Sequence, residues 1–250
     1  MRTPRRFISS LLVSFSTLAL SSVVLAQSGT SVYEGDWPEY HGDHLAQRYS
    51  PLDQINADNV ADLEIAWRFS TNGFGPSTDF NNPSTPIEIG GVLYANVGST
   101  RNVVALDASS GQILWLWRPQ EGARFDEAPR KGAGRGVAFW TDGDSKRVID
   151  VTPGYHLVSL NAETGVPDPA FGEDGIVDLF DGLRNADDPR FPYPDIGLSA
   201  APFVMNDVIV VGAAHRVGMR PRSKANVKGD IRGFDARTGE LLWTFRTIPE

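Results

Sequence analysis

The chain has 250 residues, no cysteine and a formal net charge of −8 at pH 7. The lack of cysteine excludes disulfide bonds and a covalently attached c-type haem, so burial of an apolar core must stabilise the fold. The acidic balance disfavours binding to nucleic acid or to anionic lipid.

The first 26 residues predict a signal peptide. Three arginines precede an apolar run at residues 7–25, and a small-residue cleavage site ends at Ala26, before Gln27. Removal of this segment takes away three positive and no negative charges, which changes the formal net charge from −8 to −11. An uncleaved membrane anchor is the alternative, although the length barely permits a span. We therefore expect an exported, periplasmic protein with no stable membrane span after cleavage.

Apolar segments bounded by turn residues then predict strands in chain order. A first blade is predicted at residues 63–69, 91–97, 102–107 and 112–117, with Trp67 as a candidate outer-strand tryptophan. Three strands of a second blade are predicted at 136–140, 148–152 and 157–160, and a further blade at 201–205, 208–212, 231–235 and 240–245. Residues 168–194, rich in Pro, Gly and Asp, predict an elaborated loop on the rim.

One short sequence recurs three times along these strands. It reads ALDASSGQILW at 105–115, SLNAETGVPDP at 159–169 and GFDARTGELLW at 233–243. The pattern is typical of a strand, a tight turn and a second strand, spaced as in the blades of a β-propeller.

Each position of the repeat has a chemical reason. The side chains of Asp107, Asn161 and Asp235 are predicted to accept hydrogen bonds from the backbone of the turn that follows. Gly111, Gly165 and Gly239 lie where the turn requires a positive φ. Trp115 and Trp243 end the outer strand, where a large ring fills the gap against a neighbouring blade.

The sequence therefore predicts an all-β fold, a β-propeller with tryptophan-docking repeats. Roughly three and a half blades are visible, whereas closed rings have about four to eight. We expect residues 27–250 to be the N-terminal part of a propeller domain that continues beyond this chain. A ring completed by a partner chain is the alternative.

Two polar groups have simpler explanations than a binding site. His41 and His44 form an HxxH pair, but a metal would need a third ligand, so polar surface residues are expected there. A basic cluster between Arg216 and Lys228 lies in a loop containing Gly and Pro and is predicted to be solvated.

The chain resembles the N-terminal part of the pyrroloquinoline quinone (PQQ)-dependent dehydrogenases, a family of eight-bladed quinoproteins. The resemblance covers essentially all of the mature sequence. It is carried by RYSPLDQINADNVADLEIAW (48–67), TPIEIGGVLYANV (85–97), GRGVAFW (134–140) and VKGDIRGFDARTGELLWTF (227–245).

The resemblance implies a cofactor site that uses four residues of this chain. Arg135, in the GRGVAFW segment, corresponds to a ligand of the cofactor, and a guanidinium suits a carboxylate or quinone oxygen. Ser199 matches a position where the family places a hydroxyl, although a serine that begins a strand is an equally good interpretation. Ala214 and His215 match a stretch where small residues let the backbone approach the quinone. Arg130 is not expected to bind the cofactor.

The chain also departs from the family pattern. Many members have a calcium-binding Glu after the Ala213-Ala214 stretch, where this chain has His215, so the calcium ligands are not assigned. The adjacent cysteines of alcohol-oxidising members are absent, which favours the glucose and sugar dehydrogenase branch. The catalytic aspartate of the family lies in later blades, so no catalytic residue is named in residues 1–250.

The resemblance implies an enzyme that uses PQQ, with calcium, to oxidise a sugar or an alcohol. It would pass electrons to a membrane quinone or a cytochrome. The alternative is a non-catalytic propeller scaffold that assists envelope protein assembly, which would share the repeats but would not need Arg135.

Overall fold

The computed structural model describes residues 35–79, 81–186, 193, 195–215 and 223–249. The predicted signal peptide and the arginines of the basic cluster, at 216, 220 and 222, therefore lie outside the described residues.

Three four-stranded antiparallel sheets follow one another along the chain, and we call them blades 1 to 3. Blade 1 has strands β1 (Ile87–Ile89), β2 (Val92–Val97), β3 (Asn102–Asp107) and β4 (Ile113–Trp117). A short helix, α1 (Ala123–Glu127), leads to blade 2, with β5 (Ala138–Thr141), β6 (Lys146–Val151), β7 (His156–Asn161) and β8 (Ile176–Asp178).

Blade 3 is interleaved with a small two-stranded ribbon. The strands in chain order are β9 (Ile196–Gly197), β10 (Phe203–Met205), β11 (Val208–Val211), β12 (Ala214–His215), β13 (Ile231–Asp235) and β14 (Leu241–Phe245). Strands β10, β11, β13 and β14 form the blade, while β9 pairs only with β12. The all-β propeller architecture predicted from the repeats is confirmed.

Each blade is buried on both faces where it has neighbours on both sides. In β3 and β7 both alternating sets of side chains are buried, because apolar layers cover the two faces of these strands. One layer lies between blades 1 and 2, a second between blades 2 and 3, and a third between blade 1 and Trp67, Phe69 and Phe74. Continuous apolar strands are the expected result.

One strand prediction and one loop prediction were wrong. Residues 63–69 form no strand in the described structure; they follow a 3₁₀ helix at Val60–Asp62, and β1 takes their place in blade 1. Residues 168–194 are not loop throughout, because β8 completes blade 2 there. In both cases the observed strand has only three residues, too few for alternating polarity to distinguish it from a turn.

The turn chemistry of the repeat is confirmed. The Asp107 carboxylate accepts hydrogen bonds from the backbone N–H groups of Ser109 and Ser110 at 3.1 and 2.8 Å. The side-chain oxygens of Asn161 and Asp235 accept the equivalent bonds in the other two blades. Gly111, Gly165 and Gly239 have φ values of 71°, 70° and 76°, which residues with a Cβ rarely adopt.

Tryptophans join successive blades through these turns. The Trp115 indole N–H donates to the Ala162 carbonyl at 2.9 Å, and a Cβ built on Gly165 would lie 2.5 Å from the ring. Trp67 contacts the turn of blade 1 in the same way, with its N–H 3.0 Å from the Ala108 carbonyl. Blade 2 has no such tryptophan, and Phe171 with Gly172 contacts the blade 3 turn instead.

Alternating strand directions give the blades two edges with different roles. The repeat turns lie on one side, the lower face. The β2–β3 and β6–β7 turns and the connections between blades lie on the other side, the upper face. The first strands of blades 2 and 3, β5 and β10, are neighbours, as expected for inner strands beside the axis of a propeller.

Candidate cofactor site

Two predicted site residues meet on the upper face. Arg135 precedes the inner strand β5, and Ser199 precedes the inner strand β10. The backbone N–H of Arg135 donates to the carbonyl of Ser199 at 2.9 Å, so the two segments are in direct contact. Another backbone bond, from the N–H of Thr85 to the carbonyl of Arg135 at 3.0 Å, extends the contact to blade 1.

The other two predicted residues lie in the ribbon beside this contact. Ala214 and His215 form β12, which pairs with β9 so that Ala214 lies opposite Gly197 and His215 opposite Ile196. Gly197 is two residues before Ser199, so the ribbon brings all four predicted residues to one part of the upper face. The His215 ring is held by the carbonyl of Val227, 2.8 Å from Nε2.

The guanidinium of Arg135 is the free cation of this cluster. Arg135 is exposed, and its side chain forms no hydrogen bond or ion pair with any other residue that the structure describes. The backbone at Arg135 is held in place, because Gly134 and Gly136 on either side are buried and Arg135 itself bonds to Ser199 and Thr85. A fixed backbone with an unpaired, permanently charged fork of donors suits an anionic ligand.

The side chain of Arg130, unlike that of Arg135, is bonded within the protein. Its guanidinium donates to the carbonyl of His215, and its aliphatic stem covers Gly197, where a Cβ would lie 3.3 Å from Arg130 Cβ. The side chain thereby ties the loop between blades 1 and 2 to the β9–β12 ribbon.

Two charged residues anchor the start of that loop to blade 2. The Glu121 carboxylate accepts hydrogen bonds from the Thr152 hydroxyl at 2.6 Å and the Gly154 N–H at 2.9 Å, and lies 2.6 Å from His156 Nδ1. Burial would raise the pKa of Glu121, but these bonds outweigh it and hold the pKa below its ordinary value. Arg124 forms a two-pronged ion pair with Asp178, with both contacts at 2.6 Å.

Sequence reasoning missed two buried charged residues below this surface. Arg101 is 2% exposed, and its side chain contacts the loop between blades 1 and 2 from below. Asp150, on β6, is also 2% exposed, and burial raises its pKa to about 6 against the opposing charge of Arg101. Arg101 stands in the polar turn GSTRN between two apolar strands, where an arginine normally predicts solvent exposure.

The HxxH pair, predicted as polar surface residues, is half-buried and hydrogen-bonded. His44 Nε2 lies 2.5 Å from Glu39 Oε1 and 3.1 Å from the carbonyl of Val204, so the leader is held against blade 3. His41 accepts a hydrogen bond from Arg48 at 3.0 Å. Across the described ranges, no group of three or more His, Asp or Glu side chains is arranged to hold a metal ion.

Two cavities lie away from the four predicted residues. One of about 100 Å³ lies between the leader and the inner strands of blades 2 and 3, beside His44 and Phe139. The other, of about 300 Å³, opens between blades 1 and 2 near Tyr94 and Trp115. The Arg135 cluster is instead an open surface. None of the helices in the described part of the chain is long and apolar enough to span a bilayer.

Comparisons with known proteins agree with this fold. The quinoprotein glucose dehydrogenase of Escherichia coli (strain K12) is 32% identical over 235 residues, covering 88% of this chain and 28% of that protein. The glycerol dehydrogenase large subunit of Gluconobacter thailandicus is 30% identical, covering 88% of this chain and 30% of that protein. This chain thus spans less than a third of the length of these relatives.

A solved structure shows the same arrangement of blades. The quinohemoprotein alcohol dehydrogenase from Comamonas testosteroni superposes with a TM-score of 0.64 at 28% identity, covering 90% of this chain and 28% of that one. The family model described as "PQQ: Glucose/ethanol/alcohol dehydrogenase, beta-propeller domain" matches residues 37–250. This chain therefore belongs to the PQQ-dependent glucose, ethanol and alcohol dehydrogenase family, as part of its β-propeller domain.

Proposed function

We propose that this chain is the cofactor-binding N-terminal part of an exported PQQ-dependent dehydrogenase that oxidises a sugar or an alcohol. The observation that carries the proposal is the unpaired guanidinium of Arg135, whose backbone is hydrogen-bonded to Ser199 on the upper face. The named relatives are dehydrogenases of glucose, glycerol and alcohols. The lack of adjacent cysteines favours a glucose-like substrate.

The residues present fit part of the cofactor. PQQ carries carboxylates, and Arg135 offers them a forked, charged donor with no competing partner among the described residues. Ser199 would add a hydroxyl, and Ala214 has the small side chain that a close approach of the quinone to the backbone requires. When bound, PQQ supplies the oxidising group for a substrate CH–OH. These residues bind and orient; the general base that accepts the hydroxyl proton is expected outside residues 1–250.

We infer calcium as the accompanying metal, and a membrane quinone or a cytochrome as the electron acceptor, from the family alone. The role assigned to Arg135 needs neither.

The complete gene product provides the direct test. The apo protein is titrated with PQQ in the presence of calcium while tryptophan fluorescence and quinone absorbance are recorded. Dye reduction is then followed with glucose and with ethanol. Saturable binding and substrate-dependent reduction are expected, and a complete protein that binds no PQQ contradicts the proposal.

Arg135→Ala should weaken PQQ binding by about 10- to 100-fold, the usual loss when a hydrogen bond to a charged group is removed. The measurement is the dissociation constant from the fluorescence titration. Arg118→Ala is the matched control, since it removes the same charge from an exposed arginine of the same loop, at the outer strand. Equal affinities for both variants and the wild type would show that Arg135 is not a ligand.

Export is proposed from the N-terminal sequence. N-terminal sequencing of the protein recovered from the periplasm should begin at Gln27, because the cleavage site ends at Ala26. Recovery of a protein that retains residues 1–26 and stays with the membrane would favour the anchor instead.

A further inference from the structure

Arg101 occupies an unusual position for an arginine. It lies in the turn between β2 and β3 of blade 1, with a left-handed backbone φ of 55° and 2% of its surface exposed. Its side chain therefore does not leave the turn for solvent. It runs beneath the upper face toward blades 2 and 3.

Four backbone carbonyls accept hydrogen bonds from this one guanidinium. Nε donates to Gly132 at 3.0 Å and Nη2 to Arg130 at 2.8 Å, both in the loop that leads to Arg135. Nη1 donates to Val151 at 2.8 Å, at the end of β6, and to Leu198 at 2.6 Å, next to Ser199. A side chain of blade 1 thus binds the two segments that carry the proposed cofactor ligands.

The loop backbone lies directly on the guanidinium. A Cβ built on Gly134 would lie 2.8 Å from Arg101 Nε, so only glycine fits there without displacing the arginine. One residue later, the N–H of Arg135 bonds to the Ser199 carbonyl at 2.9 Å. Arg101 thus bonds to both segments that carry the proposed ligands, and the two segments also bond directly to each other.

We propose that Arg101 is a positioning residue for the PQQ site, which acts through the Arg130, Gly132 and Leu198 carbonyls to fix Arg135 and Ser199. This inference rests on the function proposed above. The relevant chemistry is that of a planar guanidinium, whose donors point in fixed, divergent directions toward several acceptors at once. A lysine ammonium keeps the charge but has three donors at a single point, so it cannot reach all four carbonyls.

The charge itself is balanced inside the protein. Burial lowers the pKa of Arg101, and the carboxylates of Asp150 and Glu121 oppose this effect. Arg101→Lys keeps a basic side chain near Asp150 and removes the divergent donors, which tests the positioning role.

Arg147 provides a matched control in the same molecule. It is 5% exposed and also holds carbonyls across a blade boundary, those of Ala236 and Arg237 at 2.8 and 2.6 Å, but on the lower face. Both Arg101→Lys and Arg147→Lys remove a buried guanidinium. Only Arg101→Lys should change the segments of the upper face that carry the proposed cofactor ligands.

The test uses the complete protein at a temperature where circular dichroism shows that wild type and variants are folded. Arg101→Lys should raise the dissociation constant of PQQ by about 10-fold or more, the equivalent of one to two lost charged hydrogen bonds, while Arg147→Lys leaves it unchanged. Amide hydrogen exchange of the apo protein should rise at 130–136 and 196–200 in Arg101→Lys, and at 236–240 in Arg147→Lys.

A double-mutant cycle separates positioning from general stability. If Arg101 acts through Arg135, then Arg101→Lys in the Arg135→Ala background should add much less than it does alone. Fully additive losses, or unchanged exchange at 130–136 together with wild-type affinity, would overturn the inference. A wild type that binds no PQQ contradicts the proposed function instead, and the exchange measurement then decides whether Arg101 holds the two segments.

A second pair of variants serves if Arg101→Lys does not fold. Gly134→Ala places a methyl group against Arg101, whereas Gly132→Ala, also at a positive φ, meets open space. Weaker PQQ binding in Gly134→Ala than in Gly132→Ala supports the inference. Equal affinities of the two alanine variants contradict it.

Discussion

Replacing Trp115 with alanine should lower the free energy of unfolding by about 3–5 kcal/mol, the usual loss when a large buried aromatic side chain is removed. Trp115 is 9% exposed and lies between blades 1 and 2, on Gly165 and beside Tyr94, with ring centroids 5.9 Å apart. The loss combines apolar area with a cavity at the blade boundary. Urea unfolding of the complete protein, followed by circular dichroism, measures it.

Trp115→Phe distinguishes the ring from its hydrogen bond. The Ala162 carbonyl also accepts a bond from the Tyr94 hydroxyl at 3.2 Å, so it keeps a donor when the indole N–H is lost. Phenylalanine should therefore cost much less than alanine. If both variants lose the same free energy, the N–H bond and not the packed ring joins the two blades.

The repeat could be predicted because its chemistry is local. Asp107, Gly111 and Trp115 each act within a few residues of the turn or on the blade next to it, and the same letters return twice along the chain. The missing tryptophan of blade 2 was visible for the same reason. Its replacement by Phe171 was not, because that contact depends on how residues 166–176 fold back across the blade.

Trp243 shows the limit of reasoning by repetition. It occupies the same place in the repeat as Trp115, yet it is 41% exposed, and a Cβ built on Gly233 of its own sheet would meet its ring. The letter pattern predicts the direction of the side chain. Its burial depends on what packs against it, which the repeat does not encode.

The candidate site also contains residues that the sequence could propose and one that it could not. The family resemblance proposed Arg135 and Ser199 as ligands, and both precede inner strands of the sheet. Arg101 could not be selected, because its four acceptors are backbone carbonyls from residues 130 to 198, which carry no sequence signature. A positive φ at an arginine and its burial are visible only in three dimensions.

Asp150→Asn should make the protein more stable than the wild type above pH 6, by about 3 kcal/mol. Burial raises the pKa of Asp150 to about 6, whereas the ordinary value of 3.8 holds in the unfolded chain. A carboxyl group with a raised pKa stabilises the fold while it is protonated, and this contribution is lost as the pH rises from 3.8 through 6. The loss amounts to about 1.4 kcal/mol per pH unit over that range. Asparagine keeps the neutral shape and does not ionise.

Urea unfolding of the wild type and the variant at pH 4 to 7.5 measures the difference. It should be near zero at pH 4, grow to pH 6 and stay constant above. Asp178→Asn is the control of opposite sign. Partial burial would raise the pKa of Asp178, but the bonds from Arg124 and Phe180 outweigh it and lower that pKa. The contribution of Asp178 to stability is therefore present above pH 3.8 and constant across the same range. A difference between wild type and Asp150→Asn that does not change with pH would mean that Asp150 ionises in the folded protein as it does in water. In that case Asp150 would be ionised over most of this pH range, and Asp150→Asn would remove a negative charge from the surroundings of the buried Arg101.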